Sequence, residues 1–321
     1  MNADEPLAAP RFSVVVPAHN EAEHIEACLG ALTALDASPG DVEVIVVDNG
    51  STDDTRERAA RFPVRLLDLP SGRVGAVRNH GARQARGDVV AFVDADCEVP
   101  TDWLTCADAL LREHGPDVVL GGGALLPPGA DWIERDWLLE GPRGQGLPVD
   151  LIGASIVCPR EVFDGLGGFD ETVTSGEDSH LSLTARARGV RVLIDPQLSV
   201  IHHGNARTLR DFMRRQAWHA ENYAATLGRS LGDPVFLLVG AFLTAVCASP
   251  LLLAVRPALL PLALLVIAGA PAILSAKRIL RARPPSLPPA RLARIYLLDL
   301  CYLTGRSLGL LRGIVRRDSR R

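Results

Sequence analysis

Residues 88–97 read DVVAFVDADC. A continuous apolar run, Val89 to Val93, leads straight into two carboxylates, Asp94 and Asp96. A run of that length with no polar alternation suits a strand covered on both faces, as in a parallel sheet. Two similar runs lie upstream. Residues 12–16 (FSVVV) end at Pro17, and residues 42–47 (VEVIVV) end at Asp48. Each passes into a polar turn, AHNE in the first case and DNGSTDD in the second. Residues 64–69 (VRLLDL) read as a further strand, and Ile25, Leu29, Leu32 and Leu35 keep helical spacing between the first two. Strands alternating with helices predict βαβ units and a mostly parallel sheet. Ligands of such sheets bind beyond the carboxyl ends of the strands. Asn20, Glu21, Asp48, Ser51, Asp53, Asp94 and Asp96 are therefore expected to line one crevice. Turn formation competes for some of them, since Ser51 or Asp53 also suits a helix cap.

Further along, residues 100–115, 131–140, 159–166, 177–189 and 207–228 read as helices, and 117–125, 150–158 and 191–201 as strands. Paired carboxylates at a strand end, Asp94 and Asp96, are hard oxygen donors of the kind that hold Mg²⁺ or Mn²⁺ beside a diphosphate. Glu177 and Asp178 open a helix, where acids suit the macrodipole. They also have the chemistry of a general base.

The chain has 321 residues, 47% hydrophobic and 22% charged, which excludes a disordered chain. Its net charge of −4 hides a split. Residues 1–233 carry a net of −15, residues 234–276 hold only Arg256, and residues 277–321 carry a net of +10. No nucleic-acid partner is expected of so acidic a body. The six cysteines show no CxxC spacing, which argues against a disulfide framework or a zinc site. Residues 235–255 and 258–276 are two uncharged apolar stretches, near the roughly 20 residues a spanning helix needs. They predict a transmembrane hairpin, with two buried core helices as the alternative. Lys277, Arg278, Arg281 and Arg283 follow at once and place that end in the cytoplasm. The N-terminus lacks the basic and apolar regions of a signal peptide. Residues 290–317 gather Arg291, Arg294, Asp299, Arg306, Arg312, Arg316 and Arg317 on one arc, with Ile295, Leu298, Leu303, Leu310, Leu311 and Ile314 opposite. This predicts an amphipathic helix in the membrane interface. A third span would bury Asp299, Arg306 and Arg312 at about 2.5–3.5 kcal/mol each. The expected layout is a catalytic domain over 1–230, the hairpin over 231–280 and a basic tail over 281–321. The cell address expected is the inner (cytoplasmic) membrane, multi-pass, with the catalytic domain facing the cytoplasm.

Five segments together resemble the family 2 glycosyltransferases of GT-A fold: VVVPAHNEAEHIEACL (14–29), VIVVDNGSTDDT (44–55), GAVRNHGARQARGDVVAFVDADC (75–97), GGFDETVTSGEDSHLSLTARARG (167–189) and VIHHG (200–204). They occur in the family's order over residues 12–228. The resemblance implies an α/β, Rossmann-like domain and a role for each matching position. Pro17, Asn20 and Glu21 match the first nucleotide-contacting turn. Asp48 matches the carboxylate at the base, with Ser51 and Asp53 shaping its turn. Arg78 and Asn79 match the element bordering the nucleotide. Asp94 and Asp96 match the DxD, with Asp96 the direct ligand of Mn²⁺ or Mg²⁺. Asp178 matches the catalytic base, with Glu177 beside it. His202 or His203 matches a histidine that faces the metal in some relatives.

The implied reaction is an inverting transfer from a nucleotide-sugar donor, UDP-linked first, to a lipid-linked or membrane-proximal acceptor in glycan, exopolysaccharide or glycolipid biosynthesis. Membrane lipids are then further partners. The polymerising members' Gln-x-x-Arg-Trp motif is missing: residues 214–219 read RRQAWH. Addition of one sugar per acceptor is therefore expected. Trp132, Trp137 and Trp218 are read as packing residues before sugar platforms. A metal-dependent nucleotidyltransferase and a non-catalytic membrane scaffold are the alternatives.

Overall fold

The computed structural model describes residues 9–38, 40–139, 147–221 and 231–318. The chain forms two compact units, one of residues 1–128 and 147–204, the other of residues 129–146 and 205–321.

The first unit is built on a seven-stranded sheet. Its strands are β1 (Phe12–Ala18), β2 (Val42–Asp48), β3 (Arg65–Asp68), β4 (Val89–Phe92), β6 (Val118–Gly121), β8 (Ile156–Pro159) and β9 (Arg191–Ile194), in the order β3-β2-β1-β4-β8-β6-β9. All neighbours run parallel except β8, which lies antiparallel to both β4 and β6. A second sheet joins β5 (Cys97–Glu98), β10 (Val200–His202) and β7 (Ala124–Leu125), in the order β5-β10-β7. The apolar runs are continuous because both faces are covered. Val14, Val16, Val44, Val46 and Ala91 pack with Ile25 and Leu29 of α1 (Ile25–Thr33) and Trp103 of α4 (Trp103–His114). The alternate residues Val15, Ile45, Val47, Val90 and Phe92 pack with Val77 of α3 (Val74–Gln84), Phe163 of α6 (Arg160–Leu166) and Leu181 of α7 (Glu177–Ala187). Trp103 is fully buried, and its indole N–H donates to Ser155 Oγ at 3.1 Å and the Leu198 carbonyl at 3.2 Å.

Several sequence expectations change in detail. The strand read over 117–125 is two strands, broken at Gly122 and Gly123, because the chain there crosses from one sheet to the other. The strand read over 150–158 is confined to Ile156–Pro159, with a turn before it closed by a bridge between Ile152 and Ser155. The one read over 191–201 is β9 and β10, separated by a 3-10 turn at Pro196–Leu198. The helix after β2, α2 (Thr55–Ala59), has Asp54 at its N-cap with no side-chain cap bond, and Asp53 Oδ1 accepts from the Thr55 N–H at 3.1 Å just before it. Ser51 instead accepts from the Asn20 N–H at 3.0 Å.

The second unit is helical. It comprises α5 (Trp132–Leu138), α8 (Leu209–Ala220), α9 (Pro234–Val255), α10 (Leu260–Ala282) and α11 (Pro289–Asp318). Asp131 and Glu134 form a reciprocal capping box at the start of α5. The expected boundary at residue 230 is displaced, since α5 and α8 both belong with the C-terminal helices. Close packing explains this. A Cβ on Gly305 would lie 2.6 Å from the Met213 carbonyl oxygen, and one on Gly309 2.1 Å from that of Ala217. Only glycines let α11 come so near α8. The helix expected over 207–228 is described as far as Ala220, and residues 222–228 lie outside the described residues.

Helices α9 and α10 are each long and apolar enough to cross a membrane, and they keep many leucines uncovered, Leu251, Leu253, Leu262, Leu265 and Leu280 among them. On α11 the apolar face is divided, with Leu311 and Ile314 exposed. Ile295, Leu298, Leu303 and Leu310 are buried among α5, α8, α9 and α10. The polar arc opposite them is engaged too: Arg291 and Arg294 reach the two oxygens of buried Asp136, at 2.9 and 2.8 Å. Asp299 accepts from Ser275 Oγ and Arg278 Nη1, both at 2.7 Å. A helical wheel separates polar from apolar residues but does not reveal which of them protein covers. The side chains of Arg316 and Arg317 lie outside the described residues. Trp137 packs edge-on to Phe212 with ring centroids 4.8 Å apart, and under Arg278 at 4.3 Å.

The break at Gly122 gives a stability test. A Cβ there would fall 1.8 Å from the Leu198 carbonyl oxygen, whereas Gly165, inside α6, has open space around it. Gly122→Ala should lower stability by about 3 kcal/mol or prevent folding. Gly165→Ala should stabilise by up to about 1 kcal/mol. Thermal unfolding of the purified protein in detergent reads both, and equal effects would contradict the packing described.

Candidate active site

Adjacent strands β2, β1 and β4 deliver the three polar turns to one end of the sheet. The order of the sheet reverses direction at β1, with β2 and β3 to one side and β4 to the other. The first two turns are stitched together by their own side chains. Asn20, in the left-handed region at φ 57°, accepts from the Thr52 N–H through Oδ1 at 2.8 Å. Thr55 Oγ1 accepts from the Glu21 N–H at 2.7 Å, and Asp53 Oδ2 from that of Ala22 at 3.2 Å. Hydrogen bonds from Thr55 and Ala22 hold the Asp53 carboxyl below the usual range. Asp48 is buried and its Oδ1 accepts from the Ser51 N–H at 3.3 Å. Pro17 sits beside Val47 in the β1–β2 register, one residue before the Ala18–Asp48 pair. Pro17, Asn20, Glu21, Asp48, Ser51 and Asp53 thus share one corner, much of it organised by mutual hydrogen bonds.

The second corner centres on Arg78 of α3, only 2% exposed. Its guanidinium donates to Asp94 Oδ1 at 2.5 Å and to Glu177 Oε1, and it lies over the Phe169 ring. Burial alone would lower the Arg78 pKa. Asp94, Glu177 and Asp178 outweigh that and hold it raised. The DxD and the Glu177–Asp178 pair therefore meet through one cation. Asp178 is oriented by the backbone, its Oδ2 accepting from Gly153 N–H at 2.9 Å and its Oδ1 from Ser179 N–H at 2.6 Å. Burial pushes its carboxyl up to about 6, with Glu177 adding to the rise and Arg78 opposing it. That is a useful value for a base working near neutral pH.

Asp94 and Asp96 do not act as a matched pair. Strand β4 ends at Phe92, so strand alternation no longer governs residues 94–96. Asp94 turns to Arg78, whereas Asp96 turns to His202, whose Nε2 is 3.5 Å from Asp96 Oδ2. His203 points elsewhere: its Nε2 is 2.7 Å from Glu98 Oε1, and its ring stacks on His24. Strand β10 ends at His202, and of the two histidines it is His202 whose ring faces Asp96. Asp96 and His202 offer oxygen and nitrogen donors suited to a divalent cation.

Asn79 is drawn inward. Its Oδ1 accepts from Phe169 N–H and its Nδ2 donates to the Phe169 carbonyl and Glu171 Oε1, each at 2.9 Å. Both ends of the amide are committed to the loop before α7, so its part is to fix that loop beside the neighbouring Arg78. Gly153 was not singled out in the sequence. A Cβ there would lie 2.1 Å from an Arg78 Nη atom, so the position must be glycine for both the guanidinium and Asp178 to fit. Its only sequence signal was a glycine inside a strand-like run.

Residues 13–159 match the model for Glycosyl transferase family 2. Glycosyltransferase AglE of Haloferax volcanii is 29% identical over 218 residues, 64% of this chain and 71% of that protein. The poly(ribitol-phosphate) beta-N-acetylglucosaminyltransferase TarS of Staphylococcus aureus is 36% identical over 209 residues, 57% of this chain. The alignment spans only 34% of TarS. Among solved structures, the mannosyltransferase PcManGT from Pyrobaculum calidifontis, in complex with GDP-Man and Mn²⁺, superposes with a TM-score of 0.57 at 24% identity, covering 96% of this chain and 87% of that one. The carboxylates gathered at the strand ends, the family match over the strands that carry them and the shared fold lead to one assignment: residues 13–159 are a family 2 glycosyltransferase domain, and the chain has the GT-A fold.

Proposed function

We propose that the protein transfers a single sugar from a nucleotide-sugar donor, a UDP-sugar first, to a hydroxyl of a lipid-linked or membrane-proximal acceptor, with inversion at the anomeric carbon. The observation that carries this reading is the division of labour around Arg78. The guanidinium ties Asp94, on the DxD turn, to Glu177, next to Asp178. The corner formed by Pro17, Asn20, Glu21, Asp48, Ser51 and Asp53 would take the nucleoside, with Asp48 toward the base. Arg78 and Asn79 would act from behind it. Asp96 and His202 would hold a divalent cation, Mn²⁺ or Mg²⁺, which supplies Lewis-acid stabilisation of the departing diphosphate. His203, turned to Glu98, would stay outside that set.

On the acceptor side, Asp178 takes the proton of the attacking hydroxyl. The oxygen then displaces the nucleoside diphosphate in one step, so no covalent sugar–enzyme intermediate forms and the anomeric configuration inverts. Glu177, paired with Arg78, raises the basicity of Asp178 through its charge. The uncovered leucines of α9 and α10 support a membrane anchor that would bring this site to an acceptor held in the bilayer, with the catalytic unit on the cytoplasmic face of the inner membrane.

The test is a donor screen of purified protein in detergent, with Mn²⁺ or Mg²⁺ and a membrane-lipid extract, reading nucleoside diphosphate release. Lipid-dependent release with one donor supports the reading; release of pyrophosphate from a nucleoside triphosphate would contradict it. Asp178→Asn should lower kcat by about 100-fold or more while donor affinity, read by calorimetry, is kept. Wild-type turnover in that variant would sink the base assignment. Because the base acts ionised, kcat/KM should fall as pH drops through about 6. A limb near the ordinary carboxyl value of 3.8 would contradict the raised value. Asp96→Ala and His202→Ala should each weaken Mn²⁺-dependent donor binding by about tenfold or more, and an unchanged metal requirement would count against them.

A further inference from the structure

The thiol of Cys97 stands in the set just described, and nothing in the transfer chemistry uses it. Cys97 and His202 face each other across the antiparallel β5–β10 pair. Directly opposed residues of such a pair project from the same face of the sheet. Cys97 Sγ lies 3.3 Å from Asp96 Oδ1, and His202 Nε2 lies 3.5 Å from Asp96 Oδ2. One donor atom from each of Asp96, Cys97 and His202 falls within 4.8 Å of the others. Cys97 is 1% exposed and His202 8%, so the donors are largely screened from water.

Hardness decides what such a set prefers. Mg²⁺ and Mn²⁺ favour oxygen donors, whereas sulfur and imidazole favour Zn²⁺ and Co²⁺. Three protein ligands of mixed oxygen, nitrogen and sulfur type, with a position left open, are the pattern of an accessible zinc centre. The spacing rule that argued against zinc looks for cysteines close in sequence. Here the ligands come from a strand end and from a strand about a hundred residues later, joined only by pairing.

We propose that Asp96, Cys97 and His202 form a site for Zn²⁺ or Co²⁺ with Cys97 as a thiolate ligand, so that Zn²⁺ displaces the harder cation that transfer uses. On binding, the Cys97 S–H bond breaks, a sulfur–metal bond forms, and one proton passes to solvent for each cation taken up. Excess Zn²⁺ then inhibits by occupying the place of Mn²⁺. This rests on the reading that Asp96 and His202 hold the catalytic cation.

The test is titration of the purified, full-length protein with Co²⁺. The expected result is a near-ultraviolet sulfur-to-cobalt charge-transfer band that saturates at one cobalt per chain, is abolished by Zn²⁺ and is absent from Cys97→Ser. Zn²⁺ affinity, by chelator competition, should fall about tenfold or more in Cys97→Ser, with Mn²⁺ affinity changed far less. Zinc-edge X-ray absorption of the wild type should resolve one sulfur at about 2.3 Å, a readout that needs no variant to fold. No charge-transfer band, a band that survives Cys97→Ser, or a sulfur-free zinc shell overturns the proposal. A band with no transfer from any donor would instead overturn the proposed function and leave the zinc site standing. Transfer with Mn²⁺ and no band would do the reverse.

Discussion

A guanidinium buried between two carboxylates holds the catalytic unit's chemistry in place. Arg78 has almost no access to water, and removing one partner from a buried charge set costs about 3–5 kcal/mol. Its neighbours are shaped to admit it. Gly81 lets α3 settle against β1, where a Cβ would come 2.4 Å from Val15 Cγ1. Gly153 clears room for the guanidinium and at the same time gives its N–H to Asp178. Asn79, next along α3, clamps the backbone at Phe169 and so sets the approach to Glu177. The helix, the turn before β8 and the start of α7 are thus fixed by one charge. The same charge keeps three carboxylates compatible: it pairs with Asp94 and Glu177 and limits how far burial lifts Asp178. The Asp178 carboxyl, pushed up to about 6, is the outcome of these opposing effects.

Much of the first unit was legible because its signals are local. Fully covered strands have to be apolar at every position, so β1, β2 and β4 announce themselves, and the polar turns after them follow. The chain's later strands were harder. The antiparallel β8 is short, and the turn before it keeps the same apolar character because Leu151 and Ala154 are themselves buried. The site was legible as a set of residue types but not as pairings. Sequence placed Asp94 and Asp96 together, yet strand β4 stops short of them and they part company, one to Arg78 and one to His202. The choice between His202 and His203 depends on the register of β10 against β5, which adjacent identical residues do not reveal. Cys97 was discounted for the same reason, since its partner lies far away in sequence.

The charge split has also gained structure. The acidic excess of the first 233 residues includes the carboxylates that converge on Arg78. The basic tail is only partly free for an anionic surface. Arg291 and Arg294 are spent on Asp136, and Arg278 on Asp299, inside the helical unit. These pairs tie α5 and α10 to α11, while the glycines at 305 and 309 bring α8 against it. An amphipathic helix in sequence has therefore become the spine of a small bundle, with the uncovered leucines of α9 and α10 left as its apolar exterior.

The central claim is that the charge of Arg78 governs the acid–base behaviour of Asp178. The most direct measurement is the pH dependence of kcat/KM in Arg78→Gln beside Arg78→Lys, each confirmed folded. Loss of the cation removes the interaction that holds Asp178 down, so the acidic limb in Arg78→Gln should move above the wild-type value of about 6, while Arg78→Lys should stay near it. A limb in Arg78→Gln unmoved from about 6 would contradict the claim and leave Arg78 a packing residue only.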